Sequence, residues 1–509
     1  MARTRSLSAM FEPFESPTLP PPTNGTMSSP NTEILFRSQP DEFDADVATI
    51  DGTLPDDLRG TLYRNGPGIF ENGPDRYHAF DAHGMLGALR IDGGRARLRT
   101  RHVRTAMFEA ERRAGRQLKR RIFTNKPARW SNLFDVAFGN PAAHDVYGWG
   151  GRVFASNDLG HYALDPITLE TLGRHDLGGL ARGKTVSCPM TRDDPTTGRL
   201  VGYCIRPGAL SPDALTFAEF DADWKVVSRA AHRLSGPNAF VHDVAFTSSH
   251  YVLFEAPVRL RVARALWGAR PAFEAFEWVK GRRARLHVVG RDGGNARTHV
   301  IDPPDSPTVV FHILNAHNQG DDLIIDAIGV DGPVSFSSLY PEDLRARDAI
   351  QMIPSPSARI LRFTVNAQTG ACTTRKLTDI YGDLPEVDAR RHGQSYRWAF
   401  ISLSDAESKT VDPNMFFFSP WIARIDVTNG NTERWSAGAD SFCSQVAFAP
   451  RVGSDRECDG YALVWVTRAA TQTTDLVVLD AGDFAKGPVC TLRLGVHLPL
   501  VSHTRFVPG

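Results

Sequence analysis

One local pattern recurs along the chain: an apolar strand runs into Asp or Asn, a few turn residues follow, and a second strand returns. It occurs seven times, at Asp92, Asp165, Asp221, Asp292, Asn366, Asp426 and Asp480. Asp and Asn favour such turns because their side chains hydrogen-bond the nearby backbone. Repeats spaced 54 to 74 residues apart, with several strands each, are typical of a β-propeller with long connections between its blades. A set of unrelated hairpins in a multi-sheet protein is the alternative.

The remaining apolar segments also predict strands. Runs such as "TVVFHILNA" and "YALVWVT" are short, rich in β-branched and aromatic residues, and bounded by Gly, Pro, Asn or Asp. Helical patterns are sparse, and the segment 257–281 is one of the few that could hold a short helix. The sequence therefore predicts an all-β protein, a seven-bladed propeller.

Charge and cysteine usage narrow the class of function. The chain has 58 basic and 58 acidic residues, so it lacks the basic surface expected of a nucleic-acid-binding protein. Its six cysteines have no CxxC pairing. In a chain of this length they indicate a reducing compartment rather than a disulfide framework, and we expect a cytoplasmic protein.

The beginning of the chain differs from the rest. Residues 1–40 are rich in Pro, Ser and Thr and contain no apolar core of a secretion signal, so we expect a disordered tail. Residues 41–509 are expected to form a single propeller domain with cap insertions. No run approaches the roughly 20 apolar residues of a membrane-spanning helix.

Three of the sixteen histidines stand out. His242 lies in "NAFVHDVAFT", His312 in "TVVFHILNAHNQGDD" and His503 in "LPLVSHTRFVPG". Singly, each is best explained as a hydrogen-bonded core residue. Together they occupy inner-strand positions of three different predicted blades, and inner strands converge on the propeller axis. Neutral imidazoles gathered there would suit a divalent transition metal, either iron or zinc.

Several ordered blocks resemble the carotenoid cleavage oxygenase family. They are "GTLYRNGPGIF" with "RYHAFDAHGML", then "VHDVAFTSSHYVLFEAPV", "FHILNAHNQGDDLIIDA" and "DLPEVDARRHGQSYRWAF". The resemblance runs from about residue 55 to residue 508. It implies a seven-bladed propeller with a small helical cap over the metal-bearing axial face. It also implies one Fe(2+) per subunit held by four histidines, with acidic side chains behind them.

Residue by residue, the resemblance carries over in part. His242, His312 and His503 match the second, third and fourth histidines of the family. The first family histidine, in Ala-His-Pro, is matched by Cys188 in "VSCPMTRDDPTTG". Two interpretations of Cys188 are open: a thiolate ligand that completes a His3Cys site, or a small apolar residue that packs in the core.

The acidic side chains behind the histidines also differ from the family pattern. The matching positions are Asp158, Asp383 and Gln445, with Glu386 as the less favoured register for Asp383. Two acids are shortened and one is neutral. Such partners orient a ligand, and their loss typically costs roughly 10–100-fold in metal affinity or activity.

The resulting prediction is an Fe(II)-dependent dioxygenase that splits a C=C double bond of a carotenoid or apocarotenoid with O2 into two carbonyl products. No catalytic side chain is expected beyond the metal centre. The partners are an apolar polyene or stilbene-like molecule and O2. Two alternatives stay open: a propeller that binds a carotenoid without cleaving it, and a non-oxidative isomerase.

The family also implies an apolar surface that contacts a membrane. In this chain the segment 257–281, with Leu266, Trp267, Phe273, Phe276 and Trp278, is the candidate for part of the cap. The simpler interpretation is an ordinary buried helix.

Overall fold

The computed structural model describes residues 32–183, 185–208, 211–279, 281–301, 308–331, 358–403 and 419–509, and the backbone of a short strand, Thr4–Arg5. The described strands form the predicted all-β fold, a seven-bladed propeller in which each blade is an antiparallel sheet. From blade 4 through blades 5, 6, 7 and 1 to blade 2, the strand nearest the axis contacts the inner strand of the next blade.

The blades follow one another along the chain, and their strands are given from the axis outwards. Blade 1 contains His503–Pro508, Gly60–Ile69, His83–Asp92, Arg95–His102 and Glu42–Asp46, with Thr4–Arg5 beside it; blade 2 contains Asp145–Trp149, Arg152–Asn157, Gly160–Leu164 and Thr171–His175. Blade 3 contains Val186–Ser187 and Arg192–Asp194, then Arg199–Arg206, Ala214–Phe220 and Val226–Arg233; blade 4 contains Val244–Phe246, His250–Glu255, Arg285–Gly290 and Arg297–Val300.

The remaining blades share one long strand. Blade 5 contains Thr308–Gln319, Asp322–Asp331, Arg359–Asn366 and the first part of Cys372–Val387; blade 6 contains the last part of Cys372–Val387, then Trp398–Leu403, Trp421–Asp426 and Thr432–Ser436. Blade 7 contains Ser441–Pro450, Gly460–Arg468, Thr473–Asp480, Pro488–Val496 and Thr49–Gly52.

Both ends of the domain close the ring. The last strand, His503–Pro508, pairs with Gly60–Ile69, with His503 opposite Asn65. The early strand Thr49–Gly52 pairs with Pro488–Val496 at the outside of blade 7. Segments from opposite ends of the chain are thus joined by backbone hydrogen bonds, which holds the terminal histidine at the axis.

All seven predicted hairpins are present, and each joins the third and fourth strands of one blade, counted from the axis. Their turns use the expected chemistry. Asp165 Oδ1 accepts hydrogen bonds from the backbone N–H groups of Ile167 (2.9 Å) and Thr168 (2.7 Å). Asn366 Oδ1 accepts one from Thr369 N (2.8 Å) in the same way.

The core lies between adjacent blades. Gly460–Arg468 is buried along almost its whole length because blades pack on both of its faces, which explains the continuous apolar run "YALVWVT". Outer strands such as Val226–Arg233 instead expose alternate residues. All six cysteines are free thiols.

A small cap sits on one face of the propeller. It is built from the connection between blades 1 and 2 and from an insertion in blade 4. Its α-helices are Ala106–Ala114 and Val262–Trp267. The short 3₁₀ helices of the cap and of other connections are Thr32–Phe36, Ala79–Asp81, Arg129–Asn132, Ala272–Ala275, Ala389–Arg391 and Phe484–Lys486. The short strand pairs are Glu71–Asn72 with Asp75–Arg76 and Val258–Leu260 with Phe276–Trp278. Within the described residues, no helix is long and apolar enough to span a bilayer.

The first packed residues come before the predicted domain boundary at residue 41. Ile34, Leu35 and Phe36 are buried against Phe70 and Tyr77. The predicted tail up to residue 31 lies outside the described residues, apart from Thr4–Arg5.

Candidate metal centre

Four imidazole rings surround the propeller axis. The His242 and His312 rings have centroids 5.3 Å apart, and the His312 and His503 rings 5.5 Å apart. A fourth ring, His144, lies 5.1 Å from His242 and 4.8 Å from His503. His242, His312 and His503 were predicted from the sequence, whereas His144 was not. We call the four together the histidine ring.

Each ring member comes from a different blade. His144 directly precedes the inner strand of blade 2, and His242 lies two residues before the inner strand of blade 4. His312 lies within the inner strand of blade 5, and His503 begins the inner strand of blade 1. The blades therefore bring together residues that are up to 359 positions apart in the sequence.

The spacing of the rings fits a shared ion. With metal–nitrogen distances of about 2.0–2.1 Å, imidazoles about 90–110° apart on one ion have centroids separated by about 4.5–5.2 Å. The observed separations are 4.8 to 5.5 Å. In the described part of the chain, however, no group of three or more His, Cys, Asp or Glu side chains has its atoms arranged to hold a metal.

Two members of the ring have hydrogen-bonded partners behind them. His312 Nδ1 lies 2.7 Å from Asp383 Oδ1, and His503 Nδ1 lies 3.1 Å from Gln445 Oε1. Because an ionised carboxylate only accepts, Asp383 places the proton of His312 on Nδ1 and leaves Nε2 with its lone pair. That Nε2 atom is buried and has no hydrogen-bond partner in the described part of the chain, and the same holds for Nδ1 of His144.

Burial keeps three of the rings neutral. It lowers the pKa of His144 to about 3 and the pKa values of His242 and His503 well below their usual range, with neighbouring histidines adding to the effect. For His312, burial opposes charge, but the adjacent Asp383 carboxylate outweighs it and raises the pKa. Neutral imidazole is the form that binds metals, so the donor set fits a divalent transition metal.

Cys188 lies outside the ring. Its thiol donates a hydrogen bond to the carbonyl oxygen of Met190, and its backbone N–H bonds Tyr203 O at 2.8 Å. The side chain is 1% exposed and packs with Val201, Tyr203 and other apolar residues of blade 3. Burial, together with the nearby charge of Asp243, raises its pKa well above the usual range for a thiol. This environment fits the packed interpretation better than the thiolate ligand.

Of the residues predicted to lie behind the histidines, some contact the histidine ring and others do not. Asp383 and Gln445 contact ring members, as described above. Asp158 lies in the turn after the strand Arg152–Asn157, and among the described residues it makes no hydrogen bond to an imidazole. Burial raises its pKa to about 7. Glu386, the alternative to Asp383, also has no imidazole partner in the described chain.

A set of half-buried phenylalanines lies beside the ring. Phe311 is 5.8 Å from the His242 ring, and Phe240 is 5.9 Å from Phe311. Phe240 in turn contacts Phe273 (6.1 Å) and Phe276 (5.7 Å) of the cap. Phe123 stacks on Phe273 at 4.4 Å and completes the set. We call these five residues the aromatic wall. It connects the histidine ring to the cap.

The outer surface of the cap is strongly apolar. Trp130 is 81% exposed, and Phe134 and Trp267 are each 69% exposed. Phe134 N donates to Leu266 O at 2.8 Å, so the two cap segments form one surface. In the helix Val262–Trp267 only Ala265 is buried, which shows that the simpler expectation of an ordinary buried helix is wrong.

Comparisons with known proteins agree with this architecture. Residues 36–508 match the family model RPE65, retinal pigment epithelial membrane protein. The chain is 30% identical over 485 residues to the apocarotenoid-15,15'-oxygenase of Synechocystis sp., with 92% of this chain and 94% of that protein covered. It is 28% identical to the isoeugenol monooxygenase of Pseudomonas nitroreducens, covering 94% and 97% of the two chains.

A solved structure is also similar. The crystal structure of cobalt-substituted Synechocystis ACO superposes with a TM-score of 0.85 at 28% identity, covering 94% of this chain and 98% of that one. The chain therefore belongs to the RPE65/carotenoid cleavage oxygenase family. It is an oxidoreductase of the carotenoid oxygenase type.

Proposed function

We propose that this protein cleaves a C=C double bond of a carotenoid or apocarotenoid with O2, giving two carbonyl products. The reaction uses one ferrous ion per chain, bound by His242, His312 and His503. The observation that carries the proposal is the meeting of these three imidazoles at the axis, with His312 5.3 Å from His242 and 5.5 Å from His503.

The protein's own contribution to the site is orientation. Asp383 fixes the tautomer of His312, and Gln445 holds His503 through a weaker, uncharged acceptor. Gln445 Oε1 also accepts from Thr504 N at 3.0 Å, which fixes the amide in place. A ferrous ion bound there would supply the redox chemistry toward O2.

The aromatic wall supports an apolar substrate. Its phenylalanines line the side of the ring nearest the cap and offer flat apolar faces on which a polyene can lie. None of the five carries a hydroxyl or a charge that would select a phenolic head group. The 30% identity to an apocarotenoid oxygenase favours the same substrate class.

The cap surface supports delivery from a membrane. Carotenoids dissolve in lipid, and the exposed Trp130, Phe134 and Trp267 form an apolar surface close to the aromatic wall. Arg129 is exposed beside Trp130 and suits contact with an anionic head group, whereas Arg264 and Arg270 form ion pairs with Glu277 (2.8 Å) and Glu274 (3.0 Å). We propose that the protein docks on the membrane surface through the cap.

The test is a product assay with isotope labelling. Full-length protein is loaded with Fe(II) without oxygen, mixed with an apocarotenal in detergent, and exposed to ¹⁸O₂. We expect bleaching of the polyene and two carbonyl products, with label at the cleavage site. His312→Ala is the matched inactive control.

Two outcomes would contradict the proposal. A stable, red-shifted complex without aldehyde formation would indicate a carotenoid-binding protein. A rearranged product without incorporated oxygen would indicate an isomerase. Parallel reactions with a stilbene distinguish substrate classes, because preferential cleavage of the stilbene would refute the carotenoid assignment alone.

A further inference from the structure

We propose that His144 is the fourth ligand of the metal centre, and that it replaces the ligand missing at position 188. The fourth ligand has thereby moved from blade 3 to blade 2. This inference rests on the proposed function, because it assumes that the histidine ring holds a metal.

The position of the His144 ring is the first support. Its centroid lies 5.1 Å from His242 and 4.8 Å from His503, on the side of the ring opposite His312. These separations are as short as those among the three histidines predicted from the sequence. His144 thus fills the position between His503 and His242, where none of the three predicted ligands lies.

His144 and position 188 are close neighbours in space. His144 N donates to Ser156 O at 3.1 Å, and Ser156 Oγ donates to Pro189 O at 2.7 Å. One serine therefore links the backbone at His144 to the Cys188-Pro189 segment. A histidine on either segment could therefore bind an ion at the same place on the axis.

An internal repeat places His144 in an equivalent position to a predicted ligand. His144-Asp145-Val146 repeats the tripeptide His242-Asp243-Val244. Each tripeptide lies at the start of the inner strand of its blade, and the aspartates are buried to a similar degree, with 2% and 3% exposed. Equivalent positions in two blades direct their side chains toward the same axis.

The side chains of His144 and Cys188 differ in their hydrogen bonding. Among the described residues, Nδ1 of His144 is buried without a hydrogen-bond partner, although buried imidazole nitrogens usually have one. The thiol of Cys188 instead points to Met190 O and packs within blade 3. His144 thus has a ring nitrogen available to bind a metal, whereas the thiol of Cys188 already makes a hydrogen bond.

Metal binding by the full-length protein tests the inference. Fe(II) and Co(II) are titrated in the absence of oxygen against a competing chelator, and the visible absorption of bound Co(II) reports its ligand set. The variants are His144→Ala, Cys188→Ala and the double variant His144→Ala/Cys188→His. The matched control is His161→Ala, because His161 is a buried imidazole of blade 2 that contacts Tyr147 outside the ring.

We expect about one metal per chain in the wild type and in the Cys188→Ala and His161→Ala variants. His144→Ala should bind at least about tenfold more weakly, with an altered Co(II) spectrum. Restoring a histidine at 188 in the double variant should recover part of the affinity. If His144→Ala does not fold, His144→Gln tests the same loss while keeping side-chain volume.

Three results would overturn the inference. His144→Ala could bind Co(II) with unchanged affinity and spectrum. Cys188→Ala could remove a thiolate-to-cobalt absorption band together with the metal. If the wild type bound neither metal, the proposed metal centre itself would fail; the first two results refute only the role of His144.

Discussion

The two halves of the histidine ring differ in what stands behind them. On one half, His312 and His503 have hydrogen-bonded partners in Asp383 and Gln445 at 2.7 and 3.1 Å. On the other half, the rings of His144 and His242 have no protein hydrogen bond among the described residues. Hydrogen bonds within the fold orient the first half. The second half has no such bonds, and under the proposed function a bound ion would orient it.

The difference follows from blade geometry. Asp383 and Gln445 lie on the inner strands of blades 6 and 7, next to the blades that carry His312 and His503. His242 instead contacts Phe311, an apolar residue of the aromatic wall, at 5.8 Å between ring centroids. The oriented half thus faces the polar inner strands, and the other half faces the proposed substrate.

The largest effect is expected from removing an oriented ligand. His312→Ala should weaken Fe(II) binding more than about 100-fold, because it removes both a ligand and the hydrogen bond by which Asp383 orients that ligand. Equilibrium titration against a chelator measures the change. The control is His317→Ala, a buried histidine on the same strand outside the ring; equal losses in the two variants would contradict the assignment.

The next effect is that of the carboxylate alone. Asp383→Asn keeps the shape of the side chain but removes the charge next to His312, so metal affinity should fall by about 10–100-fold. Asp158→Asn is the matched variant, because Asp158 is a half-buried acid without an imidazole partner in the described part of the chain. The two halves would no longer be distinct if Asp158→Asn cost as much affinity as Asp383→Asn.

A smaller change is expected when the neutral partner gains a charge. Gln445→Glu should tighten metal binding by up to about tenfold, since a carboxylate makes the imidazole of His503 more basic. The same change removes the N–H that Gln445 donates to Pro385 O at 3.2 Å. We therefore expect the free energy of unfolding of the metal-free protein to fall by about 1–3 kcal/mol.

Chelator competition and denaturant unfolding measure these two quantities separately. Weaker metal binding by Gln445→Glu would show that residue 445 has no orienting role.

The smallest effect on the metal is expected from the cap. Trp267→Ser should leave Fe(II) affinity within error, because this residue is on the outer surface. It should reduce binding to anionic lipid vesicles by roughly tenfold, as expected when one aromatic side chain no longer inserts into the lipid surface. Co-sedimentation measures vesicle binding, and unchanged sedimentation would contradict the proposed docking surface.

Much of the fold was predictable from local chemistry. Seven Asp or Asn turns predicted seven outer hairpins, because these turns are determined by residues close in sequence. The packed segment around Ile34, Leu35 and Phe36 was placed in the tail, since its burial depends on Phe70 and Tyr77 from a distant part of the chain.

The candidate site was predictable where its residues lie in family motifs. His242, His312 and His503 were found in this way, and Asp383 and Gln445 were assigned from neighbouring blocks. His144 was missed because the search for a fourth ligand was confined to the sequence around Cys188. The repeated His-Asp-Val at 144 and 242 was the available signal, and its meaning depends on two blades meeting at one axis.

Anomalous X-ray diffraction from crystals of the full-length, Co(II)-loaded protein, measured at the cobalt edge, tests the central claim most directly. The account predicts one strong peak on the propeller axis, with nitrogen atoms of His144, His242, His312 and His503 at about 2.0–2.3 Å. A peak bonded to Cys188 Sγ, or a loaded crystal with no cobalt inside the histidine ring, would contradict it.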